Sequence, residues 1–453
     1  MAAIWLGERW INPTPKKKEP PSYGDPVTYA GDRHLTMFGP NGSGKGVTIE
    51  IPNLLWLGND LSIVSIDPKG QNAAVTAAWR GRLSDVWVLN PFGLHVGRYP
   101  DLASIGFNPL TALDPNSDRF FDKARALAEA LIRVEGDSQP FFPQSAQGLV
   151  TGLIMWEVIT AQDAGRTPSL PHVRDLLMSA DQGGENSKLT GLQITAARMA
   201  HSSHSSVANL GRMFTRDGKE IASVVSTAVA QTHWLESAPM RRDLEKGVVR
   251  FGQLKEKPTT VYVILPAGDL DNFSEWLRLV ITMALGELYE RNGEGLPVLF
   301  MLSEFAALGK LKPITTALGQ ARGYGIQLFP VLQDINQLRG IYGNDFSHTF
   351  LGMSGATIAF TPNDLETAEW MSRRSGHELT ATPSYSDNRR GGANESWSFF
   401  QNRIYSPDLL FGLKNFHALT WFAGESGAVA VRCRRYWELP FCMGRYRKDP
   451  FHS

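Results

Sequence analysis

A glycine-rich loop with one lysine carries the strongest chemical signal in this sequence. It follows the apolar run at 34–38 and leads into a helix-compatible stretch. Its glycines let consecutive backbone N–H groups turn toward one anion, the following helix N-terminus adds partial positive charge, and the lysine reaches the β- and γ-phosphates of a nucleotide. An ordinary glycine-rich turn, the alternative, leaves the lysine unexplained. The predicted phosphate-binding residues are Gly39, Pro40, Asn41, Gly42, Ser43, Gly44, Lys45, Gly46 and Val47.

The position after the loop lysine departs from the usual pattern. Gly46 stands where such loops carry a serine or threonine, whose hydroxyl holds a magnesium ion. Thr48 lies two residues further on and would point away from the phosphates once the helix has begun.

Acidic residues at the ends of two other apolar runs are candidates for the metal and for the attacking water. The run at 298–302 is followed by Ser303 and Glu304, and Glu304 is the candidate general base and metal ligand. Asp67 ends the run at 61–67 and would lie at the carboxyl edge where open α/β sheets bind ligands, so it is a second metal candidate. The alternatives are a solvated strand-end residue for Glu304 and an ordinary Asp-Pro turn for Asp67.

The elements that would position these residues alternate as in a parallel α/β sheet. Short β-branched runs at 61–67 and 86–90 alternate with turn residues and a helical stretch. From about 115 to 245, apolar residues recur at three- and four-residue intervals, which predicts an all-helical insertion. Strand-like runs resume at 261–266, 298–302, 326–333, 357–360, 417–423 and 428–437.

One nucleotide-binding sheet interrupted by a helical domain is the simplest architecture for this pattern. We predict an N-terminal arm or linker at 1–33, the nucleotide-binding domain at 34–111 and 246–440, the all-helical insertion at 112–245 and a C-terminal tail at 441–453. The polar, glycine-rich segment at 384–398 predicts a mobile loop.

Composition excludes several classes of protein. The 453 residues carry 45 Lys+Arg and 45 Asp+Glu, so overall charge points to no particular partner. Hydrophobic residues make up 42% of the chain, enough for a large core, which excludes a disordered chain. The two cysteines, Cys433 and Cys442, fit neither a disulfide scaffold nor a zinc site. With no signal-peptide or bilayer-spanning run, we expect a soluble, cytoplasmic chain.

Seven segments, in this order, resemble the coupling-protein ATPases of type IV secretion and bacterial conjugation. A glycine after the loop lysine is usual in that family, so Gly46 is compatible with nucleotide use. The resemblance implies an α/β fold, a RecA-like P-loop nucleotide-binding domain with an inserted all-α domain, which uses ATP and Mg²⁺. The segments are GPNGSGKG at 39–46, VSIDPKGQ at 64–71, FNPL at 107–110, SEFAALGKL at 303–311, QARGYGIQ at 320–327, LQDINQLRGIYG at 332–343 and FTPNDLETAEWMSRRSG at 360–376.

The resemblance also implies a role for each matching residue. Lys45 would bind the phosphates, Glu304 would polarise water, and Gln333 would sense the γ-phosphate. Arg322 would be an arginine finger that reaches the nucleotide of a neighbouring subunit, where its charge stabilises the transferred phosphoryl group. The alternatives are a surface arginine in a glycine-rich turn for Arg322 and a strand-end cap for Gln333. Gln337, Asn363, Asp364 and Glu366 match family positions without an assigned chemistry.

The family's assembly and partners are implied in the same way. They are a homo-hexamer at the cytoplasmic face of the bacterial inner membrane, DNA bound without sequence preference, a relaxase or another secreted protein, and components of a type IV channel. The membrane helices that usually precede the nucleotide domain are missing from this sequence, so docking would need a partner, a separate membrane anchor or the basic residues 16–18. Candidate DNA-contacting residues are Arg373, Arg374, Arg389, Arg390, Arg432, Arg434, Arg435, Arg445, Arg447 and Lys448.

Two lost carboxylates distinguish this chain from the family pattern. Ser303 stands where the family usually has aspartate, and Gln71 stands where it often has glutamate. The site would therefore hold a divalent cation less well, which predicts slow hydrolysis or none. The leading hypothesis is a coupling-protein ATPase that recruits or translocates DNA, or a DNA–relaxase complex, toward a conjugation channel. The alternatives are a nucleotide-binding adaptor that recruits substrates with little or no hydrolysis, and a related hexameric DNA motor.

Overall fold

The computed structural model describes residues 2–11, 23–134, 141–179, 191–215, 218–247, 249–388 and 392–451. The strands in chain order are β1 Ile4–Trp10, β2 Tyr23–Tyr29, β3 His34–Phe38, β4 Ser62–Asp67, β5 Asp85–Leu89, β6 Thr259–Ile264, β7 Val298–Leu302, β8 Ile326–Leu332, β9 Ser354–Phe360, β10 His377–Asn388, β11 Gly392–Arg403, β12 His417–Phe422 and β13 Val429–Arg432. The α-helices are α1 Ile51–Trp56, α2 Gln71–Arg80, α3 Phe120–Leu131, α4 Phe141–Asp163, α5 Leu170–Leu177, α6 Gly191–Ala200, α7 Ser205–Phe214, α8 Lys219–Gln231, α9 Ala238–Leu244, α10 Ser274–Tyr289, α11 Lys312–Gln320, α12 Ile335–Tyr342, α13 Asn344–Met353, α14 Leu365–Arg374 and α15 Pro407–Phe411.

These elements belong to two compact units. The first unit comprises Met1–Gly58, Leu299–Ala306 and Gln327–Tyr446, and the second comprises Asn59–Val298, Ala307–Ile326 and Arg447–Ser453. The helical block predicted at 112–245 lies wholly in the second unit. The domain boundaries drawn from the sequence stay a prediction.

The sheet of the first unit has the strand order β2-β1-β13-β12-β9-β3-β8-β7. Strand β3 lies between β8 and β9 and pairs with both in parallel, as the sequence predicted for the core of the sheet. The remaining pairs, from β9 through β12, β13 and β1 to β2, are antiparallel. All five residues of β3 are buried, which fits a strand covered on both faces. The loop that follows β3 therefore leaves from the middle of this sheet.

The N-terminal segment differs from the irregular arm that the sequence predicted. Strand β1 pairs antiparallel with β13, with Glu8 opposite Arg432, and Trp5 is only 2% exposed. The register of β1 against β2 shifts between Trp5 and Gly7. Such a bulge interrupts the two-residue alternation by which a strand is recognised in sequence. The basic residues 16–18 lie outside the described residues.

The segment predicted as a mobile loop, 384–398, falls largely in paired strands. Strand β10 pairs with β11 along its whole length, from His377 opposite Arg403 to Asn388 opposite Gly392. The two strands form a sheet of their own. Because a two-stranded ribbon satisfies its backbone hydrogen bonds without burying its side chains, a polar composition does not exclude it. The prediction of a loop was wrong for these described residues.

The second unit contains the parallel strands β4, β6 and β5, with β6 between the other two. Strands β5 and β6 are direct neighbours, with Asp85 opposite Thr259, although helices α3 to α9 lie between them in sequence. The helical block is therefore an insertion between two adjacent strands, as the sequence predicted. Across the described ranges, no helix combines the length and apolar composition needed to cross a bilayer.

Candidate nucleotide-binding site

The glycine-rich loop of the first unit has the backbone of an anion-binding turn. Gly39 N donates a hydrogen bond to Leu332 O at 3.0 Å, which ties the start of the loop to the end of β8. Gly42 and Gly44 have φ angles of +81° and +89°, in the left-handed region that favours glycine. A Cβ on Gly44 would also lie 2.7 Å from the ring of Phe416. Glycine is therefore required at position 44 for both conformation and space.

Polar groups of the loop fit a bound phosphate. Lys45 Nζ donates hydrogen bonds to the carbonyl oxygens of Gly39 and Pro40, so the ammonium group lies against the loop itself. Ser43 Oγ is buried without a hydrogen-bond partner among the described residues. Buried polar groups are nearly always satisfied, and a phosphate oxygen is an acceptor that such a hydroxyl can use.

The helix after the loop begins with a wide turn. Gly46–Glu50 forms a π-helical turn, closed by a hydrogen bond from Ile51 N to Gly46 O, and α1 continues from there. Thr48 is fully buried, and its hydroxyl donates to Gly44 O at 2.9 Å. As expected, Thr48 is turned into the helix, and it does not replace the hydroxyl that Gly46 lacks.

Glu304 follows β7 in an unusual backbone conformation. Its φ angle is +50°, although it is not a glycine, and its side chain is half-buried. A left-handed conformation in such a residue costs roughly 1–3 kcal/mol and is concentrated at active sites and ligand clamps. This conformation favours a functional role for Glu304 over a solvated strand end.

Ser303 contacts a carboxylate that the sequence reasoning missed. Ser303 Oγ donates a hydrogen bond of 2.5 Å to Glu50 Oε2, and the two residues are 7% and 5% exposed. Glu50 is the one charged residue in the run VTIEIPNLLWL at 47–57 that follows the loop. A charged residue in a mainly apolar, helix-compatible run was the signal in the sequence that pointed to it.

Gln333 lies at the end of β8, next to the loop. Its backbone N–H donates to Gln337 Oε1 at 2.9 Å, and Asp334 caps α12 by accepting from Gln337 N at 2.8 Å. Strands β3, β8 and β7 are consecutive in the sheet. The structure thus brings Lys45, Gln333 and Glu304 to segments that follow three neighbouring strands of one unit.

Side chains of two family segments of this unit, 332–343 and 360–376, contact each other. Asn336 Nδ2 donates to Asp364 Oδ1 at 3.1 Å, and Arg339 forms an ion pair with Glu366 at 3.1 Å. Asp364 also caps α14. These contacts link α12 to α14 and give a structural reason for Asp364 and Glu366, to which the sequence assigned no chemistry.

Asp67 and Arg322 belong to the second unit. Asp67 is 2% exposed, and its Oδ2 accepts a hydrogen bond of 2.8 Å from Ala73 N in the first turn of α2. This contact favours the alternative of a turn and helix-cap residue. Within the described ranges, no group of three or more His, Cys, Asp or Glu side chains is arranged to hold a metal ion. A magnesium ion would therefore depend on nucleotide phosphates for much of its coordination, as is usual in such sites.

Arg322 is exposed on a short 3-10 turn, Ala321–Tyr324. The buried Lys255 donates from Nζ to Tyr324 O at 2.5 Å and so fixes this turn. Burial of the ammonium group lowers the pKa of Lys255 to about 8. The assignments of Arg322 and Asp67 stay predictions.

Two of the arginines proposed for DNA binding form ion pairs within their own units. Arg434 forms an ion pair with Glu8 at 3.1 Å in the first unit, and Arg447 forms one with Asp101 at 2.8 Å in the second. These contacts favour a structural role for both guanidinium groups. Residues 389–390 lie outside the described residues.

The chain is similar in sequence to conjugation proteins along most of its length. It is 27% identical over 407 residues to the conjugal transfer protein TraG of Escherichia coli, covering 84% of this chain and 62% of that protein. It is 28% identical over 367 residues to the protein VirD4 of Agrobacterium fabrum, covering 78% of this chain and 51% of that protein. The chain thus spans between one half and two thirds of the length of these relatives.

Solved structures show the same fold. The unbound conjugative coupling protein TrwBdeltaN70 matches with a TM-score of 0.67 at 17% identity, covering 96% of this chain and 94% of that one. TrwB in complex with a non-hydrolysable ATP analogue matches with a TM-score of 0.65 at 16% identity, covering 95% and 94%. The chain therefore has the RecA-like P-loop fold. The family model for "Type IV secretory system Conjugative DNA transfer" matches residues 6–452, and the chain belongs to that family.

Proposed function

We propose that this chain is the nucleotide-binding part of a coupling protein that uses ATP to recruit or translocate DNA, or a DNA–relaxase complex, toward a conjugation channel. The observation that carries the proposal is the loop of Gly39–Val47, with Lys45 held over its carbonyl oxygens and Glu304 and Gln333 following the neighbouring strands. Membership of the conjugative DNA transfer family supports it. The solved complexes of TrwB with an ATP analogue, and with ADP and Mg²⁺, support the choice of nucleotide and metal.

Each site residue has a task that suits its chemistry. The loop N–H groups and Lys45 bind the β- and γ-phosphates, and the magnesium ion of the bound nucleotide neutralises charge on the same oxygens. Glu304 orients a water molecule and accepts its proton. Gln333 donates a hydrogen bond from its side-chain amide N–H to a γ-phosphate oxygen, and so distinguishes ATP from ADP.

Arg322 acts on a neighbouring subunit. It is exposed, and the hydrogen bond from Lys255 to its turn limits the positions that the guanidinium group can reach. An arginine supplied in trans stabilises the charge of the phosphoryl group in the transition state, so turnover depends on assembly. Because action in trans requires assembly and the resemblance to coupling proteins implies a ring of six, we propose a homo-hexamer.

The cellular location and the partners that we propose are those implied by the family. The chain works at the cytoplasmic face of the bacterial inner membrane, with components of the type IV channel or a separate membrane anchor. It binds DNA without sequence preference through phosphate contacts, because no base-reading motif was found in its sequence. A relaxase or another secreted protein is the protein cargo.

A second candidate function is a nucleotide-binding adaptor that recruits substrates with little or no hydrolysis. The observation that favours it is Ser303, a hydroxyl at the strand end where P-loop enzymes carry the magnesium-binding aspartate.

Hydrolysis and assembly, measured together, test both candidates. ATP turnover of the full chain is measured with Mg²⁺, alone and with single-stranded or double-stranded DNA, beside Lys45→Ala and beside Lys257→Ala, an exposed lysine of the second unit. Oligomer mass is read in the same buffers. We expect DNA-stimulated turnover in a hexamer, lost in Lys45→Ala and kept in Lys257→Ala. Nucleotide binding without turnover, in a monomer, would favour the adaptor, and ATP affinity retained in Lys45→Ala would contradict the loop assignment.

A further inference from the structure

Magnesium sites in P-loop enzymes use one hydroxyl and one carboxylate of the protein. The hydroxyl comes from the residue after the loop lysine, and the carboxylate ends a neighbouring strand. Here the first position is Gly46 and the second is Ser303. The loop has therefore lost the hydroxyl, and the strand has a hydroxyl in place of the carboxylate.

The missing carboxylate is present on the helix that follows the loop. Glu50 is 5% exposed, and its Oε2 accepts the 2.5 Å hydrogen bond from Ser303 Oγ. Burying a carboxylate costs free energy, so such groups are retained where a partner or a ligand stabilises them. One hydroxyl and one carboxylate are thus still present, but their positions differ from those in other P-loop enzymes. Ser303 after the strand supplies the hydroxyl, and Glu50 on the helix supplies the carboxylate.

The contact with Ser303 places the carboxyl group of Glu50 at the end of β7, where P-loop enzymes carry the magnesium-binding carboxylate. Glu50 is the last residue of the π-helical turn Gly46–Glu50, which follows the loop directly. Side chains on a helix also lean toward its N-terminus, which here is the phosphate-binding end. A Cβ at Gly46 would meet nothing within 4 Å. The glycine therefore leaves open space beside the first residue of the helix.

We propose that Glu50 supplies the protein carboxylate for the water shell of the nucleotide's magnesium ion, and that Ser303 is a positioning residue that holds it there. This inference rests on the proposed nucleotide-binding function. It replaces the expectation that the chain lacks such a carboxylate, which came from position 303 alone.

The dependence of nucleotide affinity on magnesium tests the inference without measuring turnover. The dissociation constant of a non-hydrolysable ATP analogue is measured on the full chain in Mg²⁺ and in EDTA, for wild type, Glu50→Gln and Glu369→Gln. Glu369 is a matched control because it is an ion-paired carboxylate of the same unit, bound to Arg403 at 2.8 Å. Electron paramagnetic resonance of Mn²⁺ in the nucleotide complex gives a second readout.

We expect Glu50→Gln to keep the affinity measured in EDTA and to lose at least roughly tenfold of the gain due to Mg²⁺. The Mn²⁺ spectrum should change in the same variant and stay as in wild type in Glu369→Gln. The double variant Glu50→Gln/Ser303→Asp returns the carboxylate to the strand and should restore the gain. Glu50→Asp keeps the charge but shortens the side chain by one methylene group, so it should lose part of the affinity gained from Mg²⁺. It replaces Glu50→Gln in the test if that variant does not fold.

Two results would overturn the inference in different ways. An unchanged Mg²⁺ gain and Mn²⁺ spectrum in a folded Glu50 variant would make Glu50 a structural carboxylate and leave the proposed function standing. Absence of Lys45-dependent binding both in Mg²⁺ and in EDTA would contradict the proposed function itself, and the inference with it.

Discussion

Glu304 combines a side chain able to accept a proton with a left-handed backbone conformation, which is unusual for a residue other than glycine. Its φ angle of +50° is costly for a residue with a Cβ, and the hydrogen bond between the preceding residue, Ser303, and Glu50 holds the chain at this point. Strain of this kind keeps a side chain in one direction at the expense of stability. At the scale of single residues, then, the backbone at the end of β7 favours the role that we propose for Glu304.

Replacing Glu304 with glutamine should separate binding from turnover. Glutamine keeps the size and polarity of the side chain but cannot accept the proton of the attacking water. We expect nucleotide affinity to stay unchanged and turnover to fall by about 10² to 10⁴, the usual contribution of a general base. Affinity is measured by calorimetry and turnover by phosphate release, with the exposed Glu294→Gln as the control. Equal turnover in Glu304→Gln and wild type would return Glu304 to the role of a strand-end residue.

Asp243, in the second unit, predicts a pH dependence of stability. It is 4% exposed, Ser104 Oγ donates to its Oδ1 at 2.5 Å, and burial raises the pKa of the carboxyl group from 3.8 to about 6. Below pH 3.8 both the folded and unfolded chains hold the proton, and above pH 6 both have released it. Between these values the folded state holds more protons, so the free energy of unfolding falls as pH rises.

Asp243→Asn should remove this decrease in the free energy of unfolding, because asparagine does not titrate. Between pH 4 and pH 7, we expect the variant's free energy of unfolding to gain about 2 to 3 kcal/mol relative to that of wild type. Urea unfolding at a series of pH values measures the difference. Asp85→Asn, at a largely exposed carboxylate, should follow the wild-type curve. Parallel curves for Asp243→Asn and wild type would contradict the prediction.

At the scale of elements, strand β1 supports the helix that follows the nucleotide loop. Trp5 N donates to Asn53 Oδ1 at 2.8 Å, and Asn53 Nδ2 donates back to Trp5 O at 2.9 Å. The indole ring of Trp5 also contacts Trp56 and Phe441, with centroids 6.4 and 5.2 Å apart. An N-terminal segment of this kind is part of the core around α1.

Trp5→Ala should therefore destabilise the first unit. Truncating a buried tryptophan costs about 3–5 kcal/mol, and loosening α1 should weaken nucleotide binding as well. The midpoint of denaturant unfolding and the affinity for ATP are measured together. Ile11→Ala removes a side chain that is 59% exposed and should change stability by less than about 0.5 kcal/mol. If both variants matched wild type, the segment would be the arm or linker that the sequence predicted.

A buried arginine on α10 links helix α3 of the helical block to the segment after β7. Arg278 on α10 is 4% exposed and donates to Ala130 O at 2.9 Å, Leu308 O at 2.7 Å and Lys310 O at 3.0 Å. These carbonyl groups belong to α3 and to the segment after β7. A planar group with several fixed donors is suited to hold separate backbone segments in one geometry.

At the scale of the whole molecule, the proposed arginine finger makes each site depend on two subunits. Lys45→Ala removes the phosphate contact of a subunit's own site, whereas Arg322→Ala removes the contribution that a subunit makes to its neighbour. We expect each variant alone to hydrolyse no ATP, and a mixture of the two to recover part of the turnover, because some interfaces combine an intact Lys45 with an intact Arg322. Phosphate release by mixtures at constant total protein measures the recovery.

The control for this experiment is Arg291→Ala. Arg291 is also exposed and lies in the second unit, paired with Glu256 at 2.5 Å. We expect it to be active alone and to leave nucleotide affinity unchanged. A mixture of Lys45→Ala and Arg322→Ala that stays inactive, while wild type forms active hexamers, would contradict action in trans.

Local patterns in the sequence were sufficient for the nucleotide loop and for most of the sheet. An anion-binding turn is built from consecutive backbone groups, so Gly42, Gly44 and Lys45 specify it by spacing alone. Buried parallel strands are continuous apolar runs, and β7 was predicted with the bounds that it has, 298–302. The helical insertion was evident because its three- and four-residue period differs from that of the strands around it.

The tertiary structure decided the features that depend on distant partners. Strand β1 is stabilised by β13, more than 400 residues away, and its bulge hides the strand period from local inspection. Glu50 and Ser303 are 253 residues apart, so neither the buried pair nor its bearing on the metal follows from the neighbours of either residue. Local sequence determines which conformations a segment favours, whereas only the folded chain determines which side chains share a buried environment. In this protein, local sequence was sufficient to predict the glycine-rich loop. Only the folded chain showed the carboxylate of Glu50, which we propose for the metal bound there.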